Sequence, residues 1–459
     1  MVIPAPASVQ TREGTFTPTS VSGHGAEYAG AALGLPVSEA GDLRLDLVDG
    51  PREAYTVMVD SSGIRITGSP AGLFYGVQTL RQLGVDGAFP AIEIVDSPRF
   101  SYRGAMLDVA RHFFAVNDVK RFIDAIAGLK INHLHVHLSD DQGWRIQIEK
   151  WPLLTERGAQ TSVNGDGGGF YTQADYVEIV EYAASRFVTI VPEIDMPGHT
   201  NAALASYPEL TAEGVAPPPY EGMEVGFSSL AIGSERTYEF VADVLGELAA
   251  ITPGPFLHIG GDESHSTTTE DFLAFAKRAG EIVAATGKTL VAWHELGKSS
   301  DLPRGSIGQY WGFTTPEGDS ATEALSFVEQ GGRLILSPAD VAYLDIKYDD
   351  DTALGLDWAQ GPTSLEAATS WEPTAIIPGL DEVHILGVEA PVWTETLATI
   401  DDVEFMAFPR LAAIAEIAWS PRMDATSRYA SLRDRLPALG ARLEAAGTNF
   451  YRAPGVDWR

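Results

Sequence analysis

The chain has 459 residues, of which 45% are hydrophobic and 20% charged, a composition that fills ordinary buried cores and excludes wholesale disorder. Its 63 Asp and Glu against 31 Lys and Arg leave a formal charge of −32, a field that repels phosphate backbones and excludes nucleic acid as an expected partner. There is no cysteine, so disulfides, thiolate metal sites and cysteine nucleophiles are ruled out.

The length suggests more than one core. The opening "MVIPAPASVQ" has no basic region followed by an apolar core, and no run approaches the ~18 apolar residues of a membrane span. The sequence therefore reads as a soluble chain with no membrane partner. Its location stays open between a cytoplasmic protein and the mature form of a secreted one, and its oligomeric state is not legible.

Taken in order, "LRLDLVDG", "AYTVMVD" and "IRITG" read as short alternating strands, the last two joined by "SSG". The helical stretch "PAGLFYGVQTLRQL" and a further strand, "AIEIVD", lead to Ser97-Pro98. Residues 1–98 are thus expected to form a small α+β domain, and residues 99–459 the rest of an α/β protein.

Beyond Pro98 the rhythm becomes apolar strand, polar or aromatic strand end, amphipathic helix. Strand candidates are "YRGAMLDVA", "INHLHVHLSD", "VTIVPEIDM", "FLHIGGDE", "TLVAWHE", "SIGQYWG", "RLILSP" and "HILGVEAPVW". About eight such units close a (β/α)8 TIM barrel, here with a C-terminal helix, "RYASLRDRLPALGARLEAAG", expected to be interrupted at its proline. The rival, an open doubly wound sheet, lacks a Gly-rich phosphate fingerprint after its first strand.

A barrel gathers reactive residues at the C-terminal ends of its strands. Those ends carry Asp108 and Arg111, Asp140 and Asp141, Glu193 and Asp195, Asp262 and Glu263, Trp293 and His294, Trp311, Tyr343 and Asp345, then Trp393 and Glu395. Acids and indoles without a phosphate motif suit a neutral polyhydroxylated ligand, because carboxylates accept hydroxyls and indole faces cover sugar C–H surfaces.

Within "HIGGDES", Asp262 and Glu263 are neighbours, whereas ordinary glycosidases set two carboxyls across the scissile bond at about 5–5.5 Å or ~6.5–9.5 Å. A 2-acetamido sugar removes the need for an opposed pair, since its own carbonyl oxygen reaches the anomeric carbon. One enzyme acid then moves the proton and the other is free to take the acetamido N–H. Two blander readings stand beside this one. The pair could be an acidic helix start, and His133, His135 and His137 in "HLHVHL", with Asp262, His258 and His265 as further ligands, could be read as a metal site.

The motifs "LDVARHFF", "HLHVHLSDDQGWRIQI", "VPEIDMPGHTNAALASYPEL", "HIGGDES", "AWHE", "QYWG" and "PVWTE", in this order across residues 100 to 420, resemble the glycoside hydrolase family 20 β-N-acetylhexosaminidases. The resemblance implies an exo-acting, retaining enzyme that removes terminal GlcNAc or GalNAc through an oxazolinium intermediate, with no cofactor and no metal. It implies Glu263 as general acid and base, Asp262 as the group that orients the acetamide, and Tyr343 as donor to its carbonyl. Trp293, Trp311 and Trp393 would wall the pocket; Arg111, Asp345 and Glu395 would hold sugar hydroxyls. Asp140 and His199 would be a hydrogen-bonded pair supporting Glu263.

Overall fold

The computed structural model describes residues 2–458. Six strands form a mixed N-terminal sheet: Ser8–Phe16 (β1), Val21–Gly23 (β2), Leu43–Leu47 (β3), Tyr55–Asp60 (β4), Gly63–Gly68 (β5) and Phe89–Asp96 (β6), ordered β1-β6-β4-β5-β3-β2. In the β4–β5 hairpin the buried residues alternate, Tyr55, Val57 and Val59 facing the same way as Ile64 and Ile66. Helix Pro70–Leu83 packs on this sheet; Ser69 caps it by accepting the Gly72 N–H, and Pro70 begins it.

The sequence did not announce β1, β2 or helix Ala26–Leu33. Strand β1 is exposed along almost its whole length, so it carries no hydrophobic alternation, and only its antiparallel register on β6, Ser8 opposite Val95, makes it a strand.

All eight strands expected beyond Pro98 are present: Tyr102–Asp108 (β7), His133–His137 (β8), Thr189–Glu193 (β9), Phe256–His258 (β10), Thr289–Trp293 (β11), Ile307–Tyr310 (β12), Arg333–Leu336 (β13) and Ile385–Val392 (β14). They pair in parallel and close on themselves through β14 and β7. The fold is therefore a TIM barrel preceded by a small mixed-sheet domain.

The C-terminal helix corrects one expectation. It runs unbroken over Ala425–Ala446 with Pro437 inside. Leu432, Leu436 and Leu439 carry the buried face, while the carbonyl that Pro437 leaves unpaired belongs to exposed Arg433, where water can replace the lost hydrogen bond. No helix among the described residues is long and apolar enough to cross a membrane.

Buried polar groups tie the two parts together at the N-terminal end of the barrel. Arg103, fully buried, reaches both oxygens of Glu53 at 2.9 Å. Lys130 Nζ lies 2.9 Å from Asp96 and 2.7 Å from the Tyr55 hydroxyl, and the Trp419 indole N–H also donates to Asp96. Each charge is paired and hydrogen-bonded, the condition under which burial is tolerated. This polar seam leaves the opposite end of the barrel free for chemistry.

Candidate active site

Strand β10 stops after three residues because the chain turns at Gly260 and Gly261, both with positive φ, +70° and +101°. A Cβ at Gly260 would lie 1.6 Å from Asp195 Oδ1, so no other residue fits. Asp195 Oδ1 accepts the Gly261 N–H at 3.0 Å, which fixes the turn from the neighbouring strand end. The turn delivers Asp262 and Glu263 to the mouth of the barrel. Glu263 itself has φ +33° and His199 φ +54°, left-handed values that a non-glycine residue adopts only where its surroundings hold it.

His199 stands between the acids. Its Nδ1 bonds Asp140 at 3.2 Å, and its Nε2 is 3.9 Å from Asp262 and 3.8 Å from Glu263. Arg111 Nη2 bonds Asp140 at 2.8 Å, and its guanidinium lies over the Trp393 ring, 4.8 Å from the centroid. Asp140 is fully buried; burial alone would raise its pKa, but the positive charges of Arg111 and His199 hold it far below the usual carboxylate range. Conversely, the carboxylates of Asp140, Asp262 and Asp195 overcome burial and keep His199 protonated well above its ordinary value.

Glu263 moves the other way. Burial first, and then the negative charge of Asp262, push its carboxyl up to about 7, against the opposing pull of His199 and Arg111. Its side chain remains 33% exposed, so a ligand can reach the proton it holds. Asp262 is buried, with Oδ1 left without a partner among the described residues. An unpaired buried carboxylate oxygen is costly unless something from solution fills its place.

Aromatic rings line the rest of the cup. Trp293 and Trp393 lie 5.9 Å apart between centroids, Tyr343 is 6.3 Å from Trp393, and Trp358 is edge-on to both Trp311 (6.1 Å) and Tyr343 (5.9 Å). Trp358 is 46% exposed, which puts it at the rim. Asp345 is buried, accepts the Trp393 backbone N–H at 3.4 Å and leaves Oδ2 unpaired. Glu395 also has an unpaired oxygen, Oε2, and feels the charge of Arg111. The eleven site residues expected from the sequence lie at the C-terminal ends of the barrel strands or in the segments that follow them.

A family model for "Glycosyl hydrolase family 20, catalytic domain" matches residues 100–422, and one for "Glycosyl hydrolase family 20, domain 2" matches residues 1–97. The chain belongs to glycosyl hydrolase family 20. It is 41% identical to a beta-N-acetylhexosaminidase of Cellulomonas fimi over 88% of this chain and 82% of that one. It is 35% identical to a beta-hexosaminidase of Porphyromonas gingivalis over 93% of this chain and 57% of that longer one. Among solved structures, the Streptomyces coelicolor GH20 beta-N-acetylhexosaminidase superposes with a TM-score of 0.95 at 47% identity, covering 100% of this chain and 98% of that one. A mutant Streptomyces plicatus beta-hexosaminidase in complex with GlcNAc gives a TM-score of 0.95 at 48% identity, covering 100% and 97%. The protein is a glycoside hydrolase with β-N-acetylhexosaminidase activity on carbohydrate.

Beneath the family 20 pocket lies a feature the sequence only hinted at. Glu295, within "AWHE", accepts the Trp311 indole N–H at 2.9 Å, and burial together with the charge of Asp262 raises its pKa well above the usual range. Its signal was its place one residue after a Trp-His strand end. The histidines raised as metal ligands are spent largely on carboxylates: His135 bonds Glu389 and Glu193, and His137 bonds Glu193 and Asp140. His135, Glu193 and His258 do bring ligand atoms within 4.8 Å of one another.

Proposed function

We propose that this enzyme is an exo-acting, retaining β-N-acetylhexosaminidase that removes terminal non-reducing GlcNAc or GalNAc by substrate-assisted catalysis. The observation that carries this reading is the division of labour in one carboxylate pair: Glu263 holds a proton near neutrality, while adjacent Asp262 offers an unpaired oxygen to the same cup. Two carboxyls next to each other in the chain, both beside His199, do not flank a glycosidic bond as a nucleophile and an acid do.

In this mechanism the glycosidic oxygen takes the proton of Glu263 as the sugar's acetamido carbonyl oxygen attacks C1 and the C1–O bond breaks. The resulting oxazolinium is cationic. Asp262 accepts its N–H and offsets the charge, and the Tyr343 hydroxyl donates to the carbonyl oxygen. Trp293, Trp311 and Trp393 exclude water from the acetamido group and hold the ring in attacking position. Glu263, now a carboxylate, removes a proton from water as that water attacks C1 and reopens the ring; two inversions return the β configuration. Arg111, Glu395 and Asp345 take the sugar hydroxyls, and Asp140 with His199 fixes the side of Glu263 away from the substrate.

The reading is tested with paired aryl glycosides that differ only at C2, acetamido against hydroxyl, together with NMR of the first-formed anomer. Cleavage of the acetamido substrate alone, with the β-anomer released first, is expected. Equal cleavage of the 2-hydroxyl substrate, or a trapped glycosyl ester on the protein, refutes it. The GlcNAc and GalNAc members of the pair rank the two sugars.

A further inference from the structure

The histidine row of β8 is not explained by the reaction as drawn. Glu193 ends β9 with no exposed surface, and its two oxygens are shared among four side chains. Oε2 bonds His135 Nε2 at 3.0 Å and also His137 Nδ1. Oε1 accepts the Trp293 indole N–H at 2.9 Å and lies 3.0 Å from His258 Nδ1. Beyond these, His135 Nδ1 is 2.9 Å from Glu389, which also takes the Gln309 amide at 2.7 Å and the Tyr102 hydroxyl. His137 Nε2 is 2.9 Å from Asp140, and Asp140 holds His199.

The geometry fixes the charges. A carboxylate only accepts, so an imidazole whose two nitrogens each face a carboxylate donates from both and is a cation. His135, between Glu389 and Glu193, and His137, between Glu193 and Asp140, both meet that condition. The column therefore alternates in sign through Glu389, His135, Glu193, His137, Asp140 and His199, and His199 stands beside the proton-bearing Glu263. The charged or titratable groups that face Glu193 are His135 and His137 on β8, His258 on β10, and Asp195 two residues further along its own strand end. Trp293 on β11 completes its shell.

We propose that Glu193 is a positioning residue: one buried carboxylate that fixes both the Trp293 wall of the acetamido pocket and, through His137 and Asp140, the His199 beside Glu263. Neither Trp293 nor Asp140 has freedom to shift without breaking a bond to the column. The attacking carbonyl and the donated proton are thereby held in register, and displacement of reacting groups by about 1 Å costs on the order of 100-fold in rate. The inference rests on the substrate-assisted reading, because it assigns Trp293 to the acetamide.

Two variants test it. Glu193→Gln keeps the volume and loses the charge; Glu193→Asp keeps the charge and shortens its reach, so one of them serves if the other fails to fold. Both are assayed as folded protein, by near-UV circular dichroism, for kcat and KM on an aryl N-acetyl-β-glucosaminide. They are also assayed for binding of GlcNAc and of a bicyclic thiazoline that mimics the oxazolinium. The expected result is a fall in kcat of about 10- to 100-fold with KM and GlcNAc binding changed less than about threefold, and a loss of thiazoline binding that parallels kcat. A purely structural role lowers melting temperature and leaves that split unmoved. A folded variant with kcat within about threefold of the parent, or equal losses for GlcNAc and thiazoline, overturns the proposal. If the parent enzyme itself does not prefer thiazoline over GlcNAc, the substrate-assisted reading has failed instead.

Discussion

The alkaline limb of kcat/KM measures the carboxylate pair directly. Glu263 titrates near 7 because it is buried and because Asp262 adds a second negative charge. The two carboxylates approach the same His199 Nε2 at 3.9 and 3.8 Å, so they are separated by about 8 Å or less. At an effective dielectric of ~20 to 40, unit charges at that range interact by roughly 1–2 kcal/mol, about one pH unit of ionisation. Asp262→Asn removes the charge and keeps the shape. The sign follows from the role: a general acid works while protonated, so activity is present below the pKa of Glu263 and falls as pH rises through it. Relieving the like-charge repulsion eases ionisation and shifts the limb to lower pH. The assay is kcat/KM for an alcohol-leaving substrate over roughly pH 4 to 9, which reports the free enzyme. Residual activity should show a midpoint about one pH unit below that of the parent. A midpoint that stays in place or rises refutes the electrostatic account.

Two further outcomes test the same energetics elsewhere. The folded pKa of Glu263 is raised above its ordinary value, so the stability it contributes is complete at acid pH and lost as pH rises through about 7; Glu263→Gln should therefore melt level with the parent near pH 4 and above it near pH 8, read by differential scanning calorimetry. Lys130→Met leaves Asp96 buried without its cation at the seam between the two domains, which should cost about 3–5 kcal/mol in chemical denaturation while kcat of the folded enzyme stays within about twofold.

What the sequence disclosed depended on how local each signal was. The eight barrel strands are largely buried runs that lead, at or just beyond their last residue, into polar or aromatic side chains, and β14 is buried at every position, so each was legible alone. Strand β1 is exposed and exists only through its pairing with β6; nothing within it could reveal that. Glycines 260 and 261 beside two acids marked the turn, because conformational freedom was needed where reactive groups converge. Glu193 and Glu295 were visible as acids at or just after strand ends, yet their tasks depend on side chains carried by other strands or the segments after them, His137 and Trp293 for Glu193 and Trp311 for Glu295. Spacing along one strand cannot distinguish imidazoles that bind a metal from imidazoles that alternate with carboxylates of β9 and β14. Only the closure of the barrel supplies those partners.

That closure also reconciles a chain of net charge −32 with a cup whose positive groups are concentrated. Arg111 and His199 both press on Asp140 and both oppose the rise in the pKa of Glu263. Without them, burial and Asp262 would drive that acid higher and leave it a reluctant donor to an alcohol oxygen; with them it settles near neutrality, where donation and the later removal of a water proton are both within reach. In the proposed mechanism Arg111 also takes sugar hydroxyls, so one guanidinium sets substrate position and acid strength together. The remaining acids of the surface act at longer range. Screening confines their field to about 8 Å at physiological ionic strength, so the proton affinity of Glu263 is set by burial, Asp262, His199 and Arg111 and not by the net charge of the chain.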